Sequence, residues 1–94
     1  MITTRNTDDN FIVDFDTLEG WDDYEKIIEI LKRSYDVKII NKIDGPESRL
    51  WDIQLDGLSY TLHNNPYGNY LKAKNIKSIE YLKDTLGHIQ IHFL

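Results

Sequence analysis

His63, His88 and His92 are the side chains best suited to metal or proton chemistry in this 94-residue chain. His88 and His92 stand four apart, a spacing that sets two imidazoles on one helix face and can clip a transition metal. A closed site needs further ligands, and no spacing ties His63 or Glu80 to the pair; a His-Glu-x-x-His pattern is absent as well. The pair therefore reads as polar side chains near a chain end, and no metal is expected. Carboxylates are abundant, but Asp22 and Asp23 are adjacent and point about 100° apart on a helix, which does not suit joint chelation or acid–base work. Without cysteine there is no thiolate nucleophile, Cys-based zinc site or disulfide frame. The chain also lacks a Gly-x-Ser-x-Gly elbow, a phosphate-cradling glycine loop and a dinucleotide fingerprint. The residues predict a protein that is not an enzyme and takes no cofactor.

Asn65-Pro66-Tyr67-Gly68 carries the chemistry of a turn: Asn before Pro, then Gly where positive φ is needed. Tyr67 and Tyr70 flank it beside Asn64, Asn65 and Asn69, a tyrosine–amide mixture that binding surfaces favour. Tyr70 has a second reading, as cover for a sheet edge.

The formal charge is −5, which argues against nucleic-acid binding driven by counterion release. It is unevenly spread. Residues 1–25 hold eight carboxylates and one base, Arg5, a balance of −7, whereas residues 26–94 hold ten bases and eight acids, a balance of +2. One account is a solvated loop with carboxylates set at a helix N-terminus. The other is an anionic face, Asp14, Asp16, Glu19, Asp22, Asp23 and Glu25, that attracts a basic partner and rejects acidic ones. Apolar runs reach only two or three residues, so no membrane span is expected. The first residues, Met-Ile-Thr-Thr-Arg, hold no hydrophobic signal core, which predicts a cytoplasmic protein.

The elements that position these residues follow from periodicity. With 40% hydrophobic residues the chain can build a core, and no linker or repeat interrupts it, so one domain is expected over 1–94. Phe11–Phe15 alternates as a first strand. Residues 20–34 form an amphipathic helix with Trp21, Tyr24, Ile27, Ile28, Leu31 and Tyr35 inward and Lys32 and Arg33 in its last turn. Val37–Ile43 is a β-branched strand that stops at Asp44-Gly45-Pro46. Residues 51–55 and 58–62 alternate about Asp56-Gly57, which predicts a type I′ hairpin pairing Leu55 with Leu58, Ile53 with Tyr60 and Trp51 with Leu62. A further strand spans 70–74, where Lys72 and Lys74, with Lys77 beyond, form the nearest thing to a basic patch and suit protection of an edge. A second helix covers 76–86; residues 87–93 read as its continuation, with strand as the alternative. The order β-α-β-β-β-β-α predicts an α+β two-layer sandwich: a mainly antiparallel four- or five-stranded sheet with two helices on one face. The sheet's other face is expected to show Asp52, Thr61 and His63, with Arg49 beside them.

The runs Asp44-Gly-Pro-Glu-Ser-Arg-Leu-Trp-Asp52, Asp56-Gly57 and Leu62-His-Asn-Asn-Pro-Tyr-Gly-Asn-Tyr-Leu71 resemble small bacterial proteins similar to the immunity proteins of polymorphic and contact-dependent toxins. The resemblance spans roughly residues 20–86 and rests on turn and core positions. It implies a cytoplasmic inhibitor of one cognate toxin, acidic where that toxin is a basic nuclease, and it carries over no functional residue. The expected partner is a basic toxin domain met by the six carboxylates, with Tyr67 and Tyr70 as a second surface. The protein is expected to be a monomer or weak homodimer, and the alternative function is an adaptor or regulatory module that dimerises through a sheet edge.

Overall fold

The computed structural model describes residues 2–7, 9–66 and 68–92, without the side chains of 90–92. Among these residues the fold is α+β: β1 (Ile2–Asn6), β2 (Phe11–Phe15), α1 (Asp23–Leu31), β3 (Val37–Asp44), β4 (Arg49–Leu55), β5 (Leu58–Asn65), β6 (Gly68–Ala73) and α2 (Ile76–His92). The strands form one antiparallel sheet in the order β1-β2-β6-β5-β4-β3.

The sheet has six strands rather than four or five. The added strand is β1, Ile-Thr-Thr-Arg-Asn, whose one buried side chain is Ile2. It is held by its antiparallel ladder to β2 and not by an apolar face, so it has no hydrophobic periodicity to read.

The hairpin has the predicted register, with Leu55 opposite Leu58, Ile53 opposite Tyr60 and Trp51 opposite Leu62. Asp56 and Gly57 both take positive φ, 51° and 85°, as a type I′ turn demands. Asp56 then makes three bonds to two neighbours. Its backbone N–H donates to Asp36 O at 3.0 Å, its Oδ1 accepts from the Asp36 N–H at 2.7 Å, and its Oδ2 accepts from the Tyr81 hydroxyl. The hairpin tip is thereby tied to the approach to β3 and to α2.

Helix α1 is shorter than the sequence pattern suggests. Tyr24, Ile27, Ile28 and Leu31 are buried, but Trp21 precedes the helix and remains 41% exposed. The chain tightens after Leu31, where Arg33 N bonds Ile30 O at 3.0 Å and Ser34 N bonds Leu31 O at 3.1 Å. Lys32 and Arg33 consequently follow the last turn instead of occupying it. Helix α2 is capped by Asn75, whose Oδ1 accepts from Ser78 N at 2.9 Å, and it runs through Gly87 to His92. The helical reading holds to that point; Phe93 lies outside the described residues.

The core joins inward residues of the sheet, among them Val13, Phe15, Trp51, Leu62 and Leu71, to Tyr24, Ile27 and Leu31 of α1 and Leu82 and Ile89 of α2. Polar bonds fix each helix on this cluster. The Tyr24 hydroxyl donates to Leu62 O, the Tyr60 hydroxyl to Ser78 O at 2.8 Å, and Ser78 Oγ to Ser59 O at 2.9 Å.

Gly57→Ala isolates the turn's backbone demand, since an added Cβ meets nothing within 4 Å while φ stays at +85°. It should lower stability by about 1 kcal/mol in urea titration without changing the far-UV spectrum.

Candidate functional site

The strand registers bring the ends of β2, β3 and β5 and the starts of β1, β4 and β6 to one end of the sheet. The 16–22 loop crosses that end. Two buried amides hold it there: Asn64 Nδ2 donates to Asn69 Oδ1 at 2.6 Å, and Asn69 Nδ2 donates to Leu18 O at 2.6 Å and Gly20 O at 3.0 Å. Asn64 and Asn69 are therefore buried pins and not exposed binding amides, because unpaired backbone carbonyls of a crossing loop need donors.

Each candidate carboxylate has a definite place. Asp14 lies opposite Tyr70 and takes a two-pronged ion pair from Arg5, at 2.6 and 3.0 Å; the carboxylate holds the guanidinium's pKa above its ordinary value. Asp16 accepts from the Thr3 hydroxyl. Glu19 lies over Gly68, its Cγ 3.6 Å from where a Cβ would stand. Asp14, Asp16 and Glu19 line a concavity of about 410 Å³ with Arg5, Tyr70 and Lys72. Asp22 precedes α1 without a side-chain capping bond, whereas Asp23 takes the Gly20 N–H at 3.2 Å and pairs with Lys26 at 3.3 Å. Glu25 approaches Arg49 at 3.7 Å. Asp22 and Glu25 line a second groove, along α1, with Leu18 and Ile30. Five of the six acids thus line two surfaces that meet at the 16–22 loop, and Asp23 fastens the loop's end through the Gly20 N–H. Asp44 and Glu47 extend the negative end from the β3–β4 connection. Tyr67 lies outside the described residues.

Arg49 was expected on the open face, but it stands on the core side of β4 and is 7% exposed. Its guanidinium carbon lies 4.9, 4.7 and 4.8 Å from the ring centroids of Trp21, Tyr24 and Trp51. Its Nε donates to Asp44 Oδ1 at 2.9 Å and its Nη1 to Trp21 O at 3.3 Å. Asp44 Oδ1 also accepts the Trp51 indole N–H at 2.8 Å. Arg49 and the Trp51 N–H together hold the Asp44 carboxyl below its ordinary pKa. Sequence reading missed this cluster because its members are spread over residues 21–51 and share no spacing.

Tyr70 does not cover an edge, and Lys72 does not guard one, because β6 is an interior strand. Both belong to the face away from the core. There the Tyr70 ring stacks on His63 at 4.7 Å and 5°, with the Arg5 guanidinium 5.8 Å from its centroid. His63 Nε2 is buried and has no hydrogen-bond partner among the described residues. Burial first, then the charges of Lys72 and Lys74, push the imidazole below its ordinary pKa of 6.5, with Asp52 opposing.

No protein-family model, curated protein or solved structure matches the chain. Among the described residues no helix is long and apolar enough to cross a membrane, and no group of three or more His, Asp or Glu is placed to hold a metal ion.

Arg49→Leu should cost about 2–3 kcal/mol in urea titration, through the lost packing of the guanidinium and its charge-assisted bonds. Asp44 stabilises the fold above its ordinary pKa of 3.8, and that contribution is lost as pH falls through the lower folded value. It should shrink in the variant, visible as an upward shift of the Asp44 titration by NMR.

His63 has the same sign of dependence. The unfolded chain takes the proton first, so stability is full above pH 6.5 and declines as pH falls through the folded value. His63→Gln should flatten the urea midpoint between pH 7 and pH 5.

Proposed function

We propose that the chain is a non-catalytic protein-binding domain of the toxin-immunity type, which neutralises a basic toxin domain by covering it with the acidic end of the sheet. In this reading the two helices cover one face of the sheet, and the loop end between them and the open face meets the partner. The observation that carries the reading is the gathering of Asp14, Asp16, Glu19, Asp22, Asp23, Glu25, Asp44 and Glu47 at one end of a six-stranded sheet. Six carboxylates of the first 25 residues thereby share one end, while Asp9 lies at the other, in the β1–β2 connection.

Not all of that charge is available. Asp14, Asp23, Glu25 and Asp44 each face a guanidinium or ammonium. Asp16, Glu19, Asp22 and Glu47 stand exposed and hold no ion pair among the described residues, so they bear the attraction. Trp21, between the two surfaces in sequence and 41% exposed, supplies the apolar anchor that such interfaces need at their centre. Charge at the rim governs encounter rate, and the indole governs residence. Inhibition follows from occlusion of the toxin's own basic substrate-binding surface, and the site of action is the cytoplasm.

The partner is sought as the product of the neighbouring upstream gene, by co-expression and pulldown. Glu19→Lys with Asp22→Lys should slow association about tenfold at low salt and flatten its salt dependence, with the thermal melt unchanged. Equal association rates for the variant and the parent would remove the acid end from the interface, and absence of both complex and protection would end the immunity reading.

A further inference from the structure

The two edges of the sheet differ. β1 is five residues long and exposes Thr3, Thr4, Arg5 and Asn6. β3 is eight residues long and contains three of the large hydrophobics that stay exposed among the described residues: Ile39 at 37%, Ile40 at 60% and Ile43 at 55%. An edge of this length with apolar side chains is a template for another strand. Two features restrict what it accepts. Ile40 is a bulge residue, lying between Ile39 opposite Ile53 and Asn41 opposite Asp52. Lys42 does not stand off the edge as a repelling charge, because its ammonium lies 4.4 Å from the Trp51 ring centroid.

We infer that β3 is the seat of a homodimer, in which a second copy of this chain adds its own β3 antiparallel across a two-fold axis between Ile40 and Asn41. Self-pairing over all eight residues fixes the register: Val37 opposite Asp44, Lys38 opposite Ile43, Ile39 opposite Lys42 and Ile40 opposite Asn41 of the second copy. Cross-strand partners must share a sheet face, and this full-length register satisfies that condition. Val37 and Asp44 lie opposite Leu55 and Arg49, and Ile39 and Lys42 lie opposite Ile53 and Trp51, all on the core side. Lys38 and Ile43 lie opposite Gln54 and Leu50 on the other side. The bulge is what brings the two halves of the strand into this agreement, since each copy spends one extra residue at the dyad. Two exposed isoleucines, Ile39 and Ile43, then receive a lysine stem as cover, and Ile40 of each copy flanks the axis.

Charge argues for a second copy over an unrelated strand. Pairing β3 with itself is antiparallel by symmetry, so the two acidic ends are carried to opposite extremes of the joined twelve-stranded sheet. The end of β3 bearing Asp44, with Glu47 beyond it, comes beside the start of β3 bearing Lys38 in the other copy. Asp16 and Glu19 lie over β1 and β6, away from β3, whereas Asp44 and Glu25 border the joint; the joint follows from the edge itself and does not rest on the toxin reading.

Sedimentation equilibrium of the full chain from 5 µM to 1 mM tests it. The parent should move from 11.1 kDa towards twice that mass within this range. Ile40→Lys with Ile43→Lys, both on exposed positions, should stay monomeric with an unchanged far-UV spectrum and melt. Thr3→Lys on the other edge serves as the control and should dimerise like the parent. The absence of cysteine permits a register test: Ile40→Cys mixed with Asn41→Cys should form the mixed disulfide in preference to either symmetric one. A parent that stays monomeric at 1 mM overturns the inference, and so does a dimer that survives the double lysine variant.

Discussion

A single buried cation organises the end of the molecule where function is proposed. Arg49 is enclosed by the rings of Trp21, Tyr24 and Trp51 and satisfied by Asp44 and the Trp21 carbonyl. A guanidinium is the side chain able to do this, because its weakly hydrated plane stacks on aromatic faces while its edge donates. The consequence is geometric: β3, β4 and the approach to α1 converge on one group. Glu25 adds a longer and more exposed contact at 3.7 Å, of smaller energetic weight. The same cluster decides the fate of the nearby charges, since Asp44 is consumed by the fold.

Away from that cluster, irregular segments are held by buried or half-buried polar groups acting on backbone. Asn69 satisfies two carbonyls of the 16–22 loop, and Ser78 bonds the carbonyl of Ser59. Each solves the same problem, that backbone groups removed from water need partners where no ladder supplies them. His63 departs from this pattern. Its stacked ring leaves Nε2 buried and unpaired among the described residues, an arrangement that suits the neutral imidazole.

Faces and edges divide the remaining surface. The acidic end faces outwards through the 16–22 loop, pinned by Asn69, while β3 bears the exposed isoleucines at the sheet's edge. The two demand different partners, since long-range charge selects a basic surface and unpaired backbone with exposed aliphatics selects another strand.

Local rules were enough for much of the fold. The Asp56-Gly57 hairpin, its register, the buried stripe Tyr24-Ile27-Ile28-Leu31 and the helix that crosses Gly87 were legible because each depends on spacing within a few residues. Strand β1 was not, since its pairing lies in backbone and not in pattern. The candidate site was legible as composition, six carboxylates with Tyr70 near one end of the chain, and illegible as geometry. Which acids Arg5 and Arg49 neutralise, that Asn64 and Asn69 are buried pins, and that Arg49 faces the core depend on strand order and on which face of the sheet each residue meets. The contacts of Arg49 with Trp21 and Tyr24, and of Asn69 with the 16–22 loop, join residues far apart in sequence, and only tertiary packing brings them together.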